Sequence, residues 1–308
     1  VRLAVIDLGT NTVRLLVAEV RGAAPWAFVH AEQRVTRLGE GLHATGVLGE
    51  VPMTRTAAAV ADYVARARDA GATTVRVVAT SAVREARNGA VFAERLARDT
   101  GARIDVISGE EEARLTLRGL RRGLALGGTM VAFDIGGGST EYVLACDARL
   151  LAAASLTLGV VPLAERFPFP GPVDGARYTA MLDEIRRRLA TELPAAMAAT
   201  AADVLVGTAG TVTTLAALDL ALTAYDPERV HGHRLTRAAV ERLLGRLGAL
   251  TVEERAALPC LEPGRADLII PGTAIVVATM ERFRVEALVV SEYGLREGMM
   301  DLVAESAP

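Results

Sequence analysis

Val5-Ile6-Asp7-Leu8-Gly9-Thr10-Asn11-Thr12 is written a second time, with more glycine, as Ala132-Phe133-Asp134-Ile135-Gly136-Gly137-Gly138-Ser139-Thr140. Each copy closes an apolar run on an aspartate, turns on glycine and hydroxyl residues, and re-enters an apolar run. That pattern predicts a strand, a tight turn and a returning strand, made twice. Glycine lets backbone N–H groups converge on an anion without a Cβ in the way, and small hydroxyls add donors. The aspartate repels phosphate, so its place is beside a bound cation or the waters of one. One such turn is equally an ordinary hairpin; a duplicated one implies duplicated domains facing one ligand.

Working outward, strands and helices alternate. Residues 2–7 and 13–20 read as the first hairpin and 26–37 extends its sheet. Residues 52–70 read as a helix, with Pro near its start and Gly71 after its end. A buried strand over 75–79 is followed by Ser81 and a helix that runs through 91–99 to Gly101; a strand over 104–107 and a helix over 110–120 follow. The second half repeats the scheme: a hairpin of 130–134 and 141–145, a strand over 150–158, a proline-rich loop over 167–172, and a helix over 178–197 broken near Pro194. A strand over 204–206 runs into a glycine-containing loop, 207–211, with helix after it; 285–291 is a last strand and 295–304 a terminal helix. Such alternation predicts an α/β fold with mixed sheets.

The 308 residues are enough for two domains, each with its own core. A net charge of −3 does not favour nucleic-acid binding through a general basic surface. All 34 basic residues are arginine. The absence of lysine excludes P-loop nucleotide hydrolysis and Schiff-base chemistry. Cys146 and Cys260 form no ligand cluster and read as buried, inert thiols in a reducing compartment. The uncharged stretches 150–164 and 204–218 are too short for a membrane span, and the N-terminus has no signal-peptide pattern. These features predict a cytoplasmic protein with no membrane partner.

In order and spacing, Asp7-Leu8-Gly9-Thr10-Asn11-Thr12, Thr80-Ser81-Ala82-Val83-Arg84-Glu85-Ala86-Arg87-Asn88, Ser108-Gly109-Glu110-Glu111-Glu112-Ala113-Arg114-Leu115, Asp134 to Glu141, Gly207 to Thr211, Arg265-Ala266-Asp267 and Tyr293-Gly294-Leu295-Arg296-Glu297-Gly298 resemble the Ppx/GppA family of exopolyphosphatases and guanosine-pentaphosphate phosphohydrolases. The resemblance runs nearly end to end. It implies two ribonuclease-H-like domains of the actin and sugar-kinase superfamily with a cleft between them: residues 1–123 completed by 296–308, and residues 124–295. The chain stops at Pro308, which matches the short form of the family without a helical C-terminal domain. A homodimer is also implied.

Carried over residue by residue, the resemblance makes Glu112 the catalytic carboxylate and Arg84 the phosphate clamp. Guanidinium makes bidentate, permanently charged contacts with phosphoryl oxygens. A carboxylate beside bound phosphates has a raised pKa, which suits a general base. Glu110 and Glu111 read as complements to the helix dipole. Asp7, Asp134 and Glu141 would hold Mg2+ directly or through water, since magnesium needs only one or two carboxylates plus substrate oxygens. Gly9, Thr10, Asn11, Thr12, Asn88, Gly136, Gly137, Gly138, Ser139, Thr140, Gly210 and Thr211 would bind phosphates.

The reaction implied is removal of terminal orthophosphate from short inorganic polyphosphate, with guanosine pentaphosphate as the competing substrate. A sugar or acetate kinase of the same superfold lacks reason to carry the Arg84 and Glu112 segments, and a polyphosphate or alarmone sensor needs no catalytic set. His231-Gly232-His233 lacks a third ligand in sequence and reads as a loop; Arg186-Arg187-Arg188 reads as a solvated face. Arg118, Arg121 and Arg122 could attract a polyanion, and Arg265 and Asp267 could brace a domain interface.

Overall fold

The computed structural model describes residues 1–21, 25–125, 127–147 and 149–306. Residues 22–24, 126, 148 and 307–308, with them the terminal Pro308 of the span read from sequence, lie outside the described residues. Contacts within the chain divide it into two units, Val1–Arg122 with the stretch from Gly294 onward, and Gly123–Tyr293.

In the first unit, strands β1 (Arg2–Leu8), β2 (Thr12–Glu19), β3 (Ala27–Val35), β4 (Ala72–Ala79) and β5 (Arg103–Val106) form a mixed sheet in the order β3-β2-β1-β4-β5. β1, β2 and β3 are antiparallel neighbours, while β4 and β5 run parallel to β1. β1 is buried on both faces, so its sequence is continuously apolar rather than alternating. Ala4, Ile6 and Leu8 point to one face, where they join Tyr63 and Val64 of helix Glu50–Asp69 and Phe92 and Leu96 of helix Gly89–Thr100. Leu3 and Val5 point to the other, with Leu115 of helix Gly109–Gly123 and Leu295, Met299 and Met300 of helix Leu295–Glu305. The period of two continues to Asp7, which therefore ends β1 on the face covered by these last two helices.

Those two helices cross very closely. A Cβ built on Gly119 would lie 1.9 Å from the Gly294 oxygen, and one on Gly298 would lie 1.8 Å from the Leu115 oxygen. Only glycine fits at either position. Farther along, Asp301 accepts the Trp26 indole N–H at 2.5 Å, and the Arg122 guanidinium stacks 3.6 Å from the Trp26 ring centroid. Arg118 pairs with Asp301 and Glu305. Arg118 and Arg122 thus fasten the C-terminal helix.

The second unit holds β6 (Thr129–Ile135), β7 (Thr140–Cys146), β8 (Arg149–Leu156), β9 (Val204–Thr208), β10 (Arg234–Thr236) and β11 (Ala287–Ser291). Their order is β10-β11-β9-β6-β7-β8. Taken from β8, this is again an antiparallel meander followed by two parallel strands, with β10 added antiparallel at the edge. Both sheets thus have the ribonuclease-H-like order. Helix Ile269–Phe283, apolar almost all round, is the buried centre of this unit, and Tyr142 reaches it with a 2.7 Å hydroxyl contact to Thr279. Arg255, fully buried, donates to the carbonyls of Leu247, Phe169 and Gly171 at 2.9, 2.9 and 3.2 Å and so pins the 167–172 loop.

The structure corrects three sequence expectations. The single helix expected through 91–99 to Gly101 is preceded by a separate short one, so that the chain forms Ser81–Glu85 and then Gly89–Thr100. Between them the chain doubles back so tightly that a Cβ on Gly89 would lie 1.9 Å from the Val83 oxygen. The expected loop over 207–211 does not exist as a loop: β9 continues through Thr208 and the helix Ala209–Asp219 starts at once. Ala209 makes that junction by taking a left-handed φ of 70°. Cys146 and Cys260 are unpaired but only half-buried. No helix among the described residues is long and apolar enough to cross a membrane.

Candidate active site

The β1–β2 turn closes with the Gly9 N–H donating to the Thr12 oxygen at 3.1 Å, an approach that leaves a Cβ on Gly9 only 2.9 Å from that oxygen. From behind, Thr36 and Arg37 N–H groups donate to the Asn11 oxygen at 2.9 and 3.0 Å, and the Gly39 N–H donates to the Thr10 oxygen at 2.9 Å. The Thr10 hydroxyl and the Asn11 Oδ1 are buried without a protein partner. Leaving such atoms unmet costs about 1–3 kcal/mol each, which marks a place where ligand or water completes the bonding.

The β6–β7 turn copies this closure. Gly136 N–H donates to the Ser139 oxygen at 2.9 Å, so Gly136 stands for Gly9 and Ser139 for Thr12. Its outer carbonyls are occupied by a helix start instead of a loop: Val160 and Val161 N–H groups donate to Gly136 and Gly137 at 3.2 and 2.9 Å. A Cβ on Gly159 would lie 2.2 Å from the Gly137 oxygen, and Gly138 is buried against it. The Thr140 hydroxyl donates to the Leu158 carbonyl at 2.5 Å, which commits it to bracing.

The register sets a charged residue opposite each aspartate, and the two copies differ there. Asp7 pairs across the strands with Arg14, Asp134 with Glu141. Directly opposed residues share a face of the sheet, so Asp134 and Glu141 present two carboxylates together. Glu141 is buried, and its Oε1 accepts both Ser139 and Ser155 hydroxyls at 2.7 Å. Asp7 is buried as well, with Arg14 Nη1 3.9 Å away. Burial pushes the Asp7 carboxyl above its usual range; Arg14 and Arg296 pull it back, and Glu297 adds to the rise.

Asp7 in the first unit and the opposed Asp134–Glu141 pair in the second each offer hard oxygen donors of the kind that divalent cations take. Among the described residues no three acidic, histidine or cysteine side chains converge on a metal position. Magnesium keeps most of its waters and needs only one or two carboxylates, a demand that the Asp134–Glu141 pair fits.

Glu112 sits in the first turn of Gly109–Gly123, where the Ser108 hydroxyl accepts the Glu111 N–H at 3.1 Å and the Ser108 carbonyl accepts the Glu112 N–H at 2.9 Å. Of the three consecutive acids, Glu110 and Glu111 are exposed and Glu112 is 7% exposed. Arg84, on the short helix after β4, donates through Nη1 to the Ile107 carbonyl at 3.1 Å and to Glu112 Oε2 at 3.0 Å. Both Nη1 hydrogens are thereby used. The Nε/Nη2 edge, with Glu85 at 3.8 Å from Nη2, is the side suited to an anion.

Asn88 is placed elsewhere. Its Oδ1 accepts the Leu48 N–H at 2.8 Å and its Nδ2 donates to the Leu48 carbonyl at 2.9 Å, so the amide braces the loop before helix Glu50–Asp69. Gly210 leaves room for Arg265, since a Cβ there would lie 1.3 Å from Nη1; Arg265 also pairs with Glu262 at 3.0 Å. Thr211 packs against Gly272, where a Cβ would lie 2.4 Å from its Oγ1.

Sequence reasoning missed Arg14, Ser155, Arg296 and Tyr225. Arg14 and Ser155 become visible only with the strand register, which puts them opposite Asp7 and Glu141. Tyr225, itself exposed, donates its hydroxyl to Glu292. No local pattern announces that pair.

A family model described as the Ppx/GppA phosphatase family matches residues 16–306. Exopolyphosphatase 2 of Mycobacterium tuberculosis is 39% identical, covering 97% of this chain and 97% of the relative. A guanosine-5'-triphosphate,3'-diphosphate pyrophosphatase of Pseudoalteromonas translucida is 27% identical over 96% of this chain and 58% of its own length. The crystal structure of the Aquifex aeolicus Ppx/GppA family member is 31% identical and superposes with a TM-score of 0.83, covering 100% of this chain and 99% of that one.

Proposed function

The chain belongs to the Ppx/GppA phosphatase family of phosphoanhydride hydrolases, and on that premise we propose that it releases terminal orthophosphate from short inorganic polyphosphate with Mg2+. The observation that carries the reading is the pairing of the half-buried Arg84 with the buried Glu112. It sets a proton acceptor and a phosphoryl-oxygen clamp in one fixed arrangement.

Hydrolysis of a phosphoanhydride is mainly a matter of positioning and charge compensation. Glu112 takes the proton of the attacking water as the water closes on the terminal phosphorus. Arg84, tied to Glu112 through Nη1, turns its Nε/Nη2 edge to the phosphoryl oxygens whose charge is redistributed in the transition state. The backbone of the 9–12 and 136–140 turns, with the Thr10 hydroxyl, binds further phosphate oxygens. Asp7, Asp134 and Glu141 would hold magnesium, which when bound supplies positive charge to the phosphate chain. A cytoplasmic location and a homodimer belong to the same proposal.

The second reading, 5'-hydrolysis of guanosine pentaphosphate, is favoured by the named activity of the Pseudoalteromonas relative. The test is orthophosphate release from size-defined polyphosphates and from guanosine pentaphosphate, native chain against Glu112→Gln. Loss of the base lowers kcat by about 10²–10⁴-fold if the assignment is right. A Glu112→Gln rate equal to native removes Glu112 from the mechanism, and a higher native kcat/KM on guanosine pentaphosphate selects the second reading.

A further inference from the structure

Gly123 and Gly294 mark where the chain leaves the first unit and where it returns. Gly123 ends the helix that carries Glu112; Gly294 precedes the helix whose first turn sets Arg296 and Glu297 near Asp7. Within the second unit a single side chain holds both segments. His231 Nε2 lies 2.8 Å from the Gly123 carbonyl oxygen, and the Glu292 N–H donates to His231 Nδ1 at 3.2 Å. A carbonyl accepts only a donor and an amide N–H needs an acceptor, so the two bonds together assign the neutral imidazole with its proton on Nε2.

The ring is also locked sterically. It meets Tyr293 edge-on, with centroids 5.0 Å apart and planes at 87°. A Cβ on Gly123 would lie 2.1 Å from Tyr293 Cδ2 and 2.7 Å from His231 Cε1. The returning segment is tied down further, since the Thr208 hydroxyl donates to the Ser291 carbonyl at 2.9 Å and the Ser291 hydroxyl to the Tyr293 carbonyl at 2.8 Å. In the first unit the continuations of the same two segments meet again at the Gly119–Gly294 and Gly298–Leu115 approaches. His233, two residues on, does something else: it pairs with Asp219 at 3.0 Å.

We propose that His231 is a positioning residue for the hydrolysis. It clasps the outgoing segment at Gly123 and the returning segment at Glu292, which keeps the Glu112 helix in register with the Arg296–Glu297 turn behind Asp7. The inference rests on the reading of Glu112 as the base. A histidine that merely packs would not need both ring nitrogens matched to the two points where the chain crosses.

The test uses the full chain with His231→Ala, His231→Asn and His231→Gln. Asparagine offers an acceptor to Glu292 but does not reach Gly123, and glutamine offers a donor to Gly123 without the acceptor. The readouts are kcat and KM for orthophosphate release, amide hydrogen exchange over residues 119–123 and 292–298, and fluorescence of Trp26, the only tryptophan, which Arg122 stacks against one residue before Gly123. For His231→Ala we expect kcat to fall about tenfold with KM within about twofold, because misplacing a catalytic group costs rate more than binding. Exchange should quicken in both segments and Trp26 emission should shift, with the Asn and Gln variants intermediate; these two carry the test if the Ala variant does not fold. Unchanged kcat, or a kcat loss without faster exchange, overturns the proposal. If the native chain releases no orthophosphate from any substrate, the hydrolase reading fails first, and the exchange data alone decide whether the clasp exists.

Discussion

Gly298→Ala places a methyl group 1.8 Å from the Leu115 oxygen and about as badly against the rest of that peptide, whose carbon would be 2.7 Å away. Ordinary carbon–oxygen contact begins near 3.4 Å, so helices Gly109–Gly123 and Leu295–Glu305 must part by roughly 1.5 Å. Overpacking of this kind costs about 1–3 kcal/mol. Alanine returns about 1 kcal/mol through helix propensity, which offsets only the low end of that range. The net loss of up to about 2 kcal/mol lowers Tm by up to about 8 °C in a unit of this size. The larger effect falls on catalysis, because Leu115 lies one turn after Glu112. A shift of about 1 Å at a catalytic group costs roughly 10²-fold in kcat. Scanning calorimetry and orthophosphate release on the same preparation measure both. Gly245→Ala is the control: it lies in helix Arg237–Gly248, a Cβ there meets nothing within 4 Å, and the substitution should raise Tm slightly. A Gly298→Ala variant with native Tm and native kcat would refute the close-crossing argument.

Arg84→Lys keeps the charge but cannot hold Ile107, Glu112 and an anion at once, so kcat should drop by about 10²-fold while the fold melts within a few degrees of native; full activity in the lysine variant would show that the fork geometry is irrelevant. Asp7 has a raised carboxyl pKa in the folded state, so its favourable contribution is present below its unfolded value of 3.8 and is lost as pH rises through the folded value. Asp7→Asn should therefore melt higher than native at pH 8 without magnesium, with the advantage shrinking toward pH 4, and should be inactive; a lower Tm at pH 8 contradicts the burial argument. Arg255→Met leaves three buried carbonyls without their donor and should cost about 3 kcal/mol or more, read as a fall in urea midpoint, with hydrolysis at low temperature retained; an unchanged midpoint would mean water replaces the guanidinium.

The duplicated turn was legible because its chemistry is local. An apolar run, an aspartate, glycines and hydroxyls force the same closure wherever they occur, and the Gly9–Thr12 and Gly136–Ser139 bonds follow from that. The strands on either side were legible for the same reason. The short helix Ser81–Glu85 was not, because the turn that ends it comes from Gly89 lying against Val83 and Asn88 holding Leu48, neither of which has a local signature. Helix Ile269–Phe283 escaped notice since a helix buried all round has no amphipathic stripe.

Within the site, the sequence by itself determined which groups are available: an acid at 112, a guanidinium at 84, two phosphate-type turns. Tertiary structure decided which acid of the Glu110-Glu111-Glu112 run is buried, that Arg84 bonds it, that Asn88 serves a loop, and that His231 joins the two chain crossings. The division has a physical cause. Backbone conformation responds to neighbours a few residues away, whereas burial, ion pairing and strand register depend on residues brought together from distant parts of the chain.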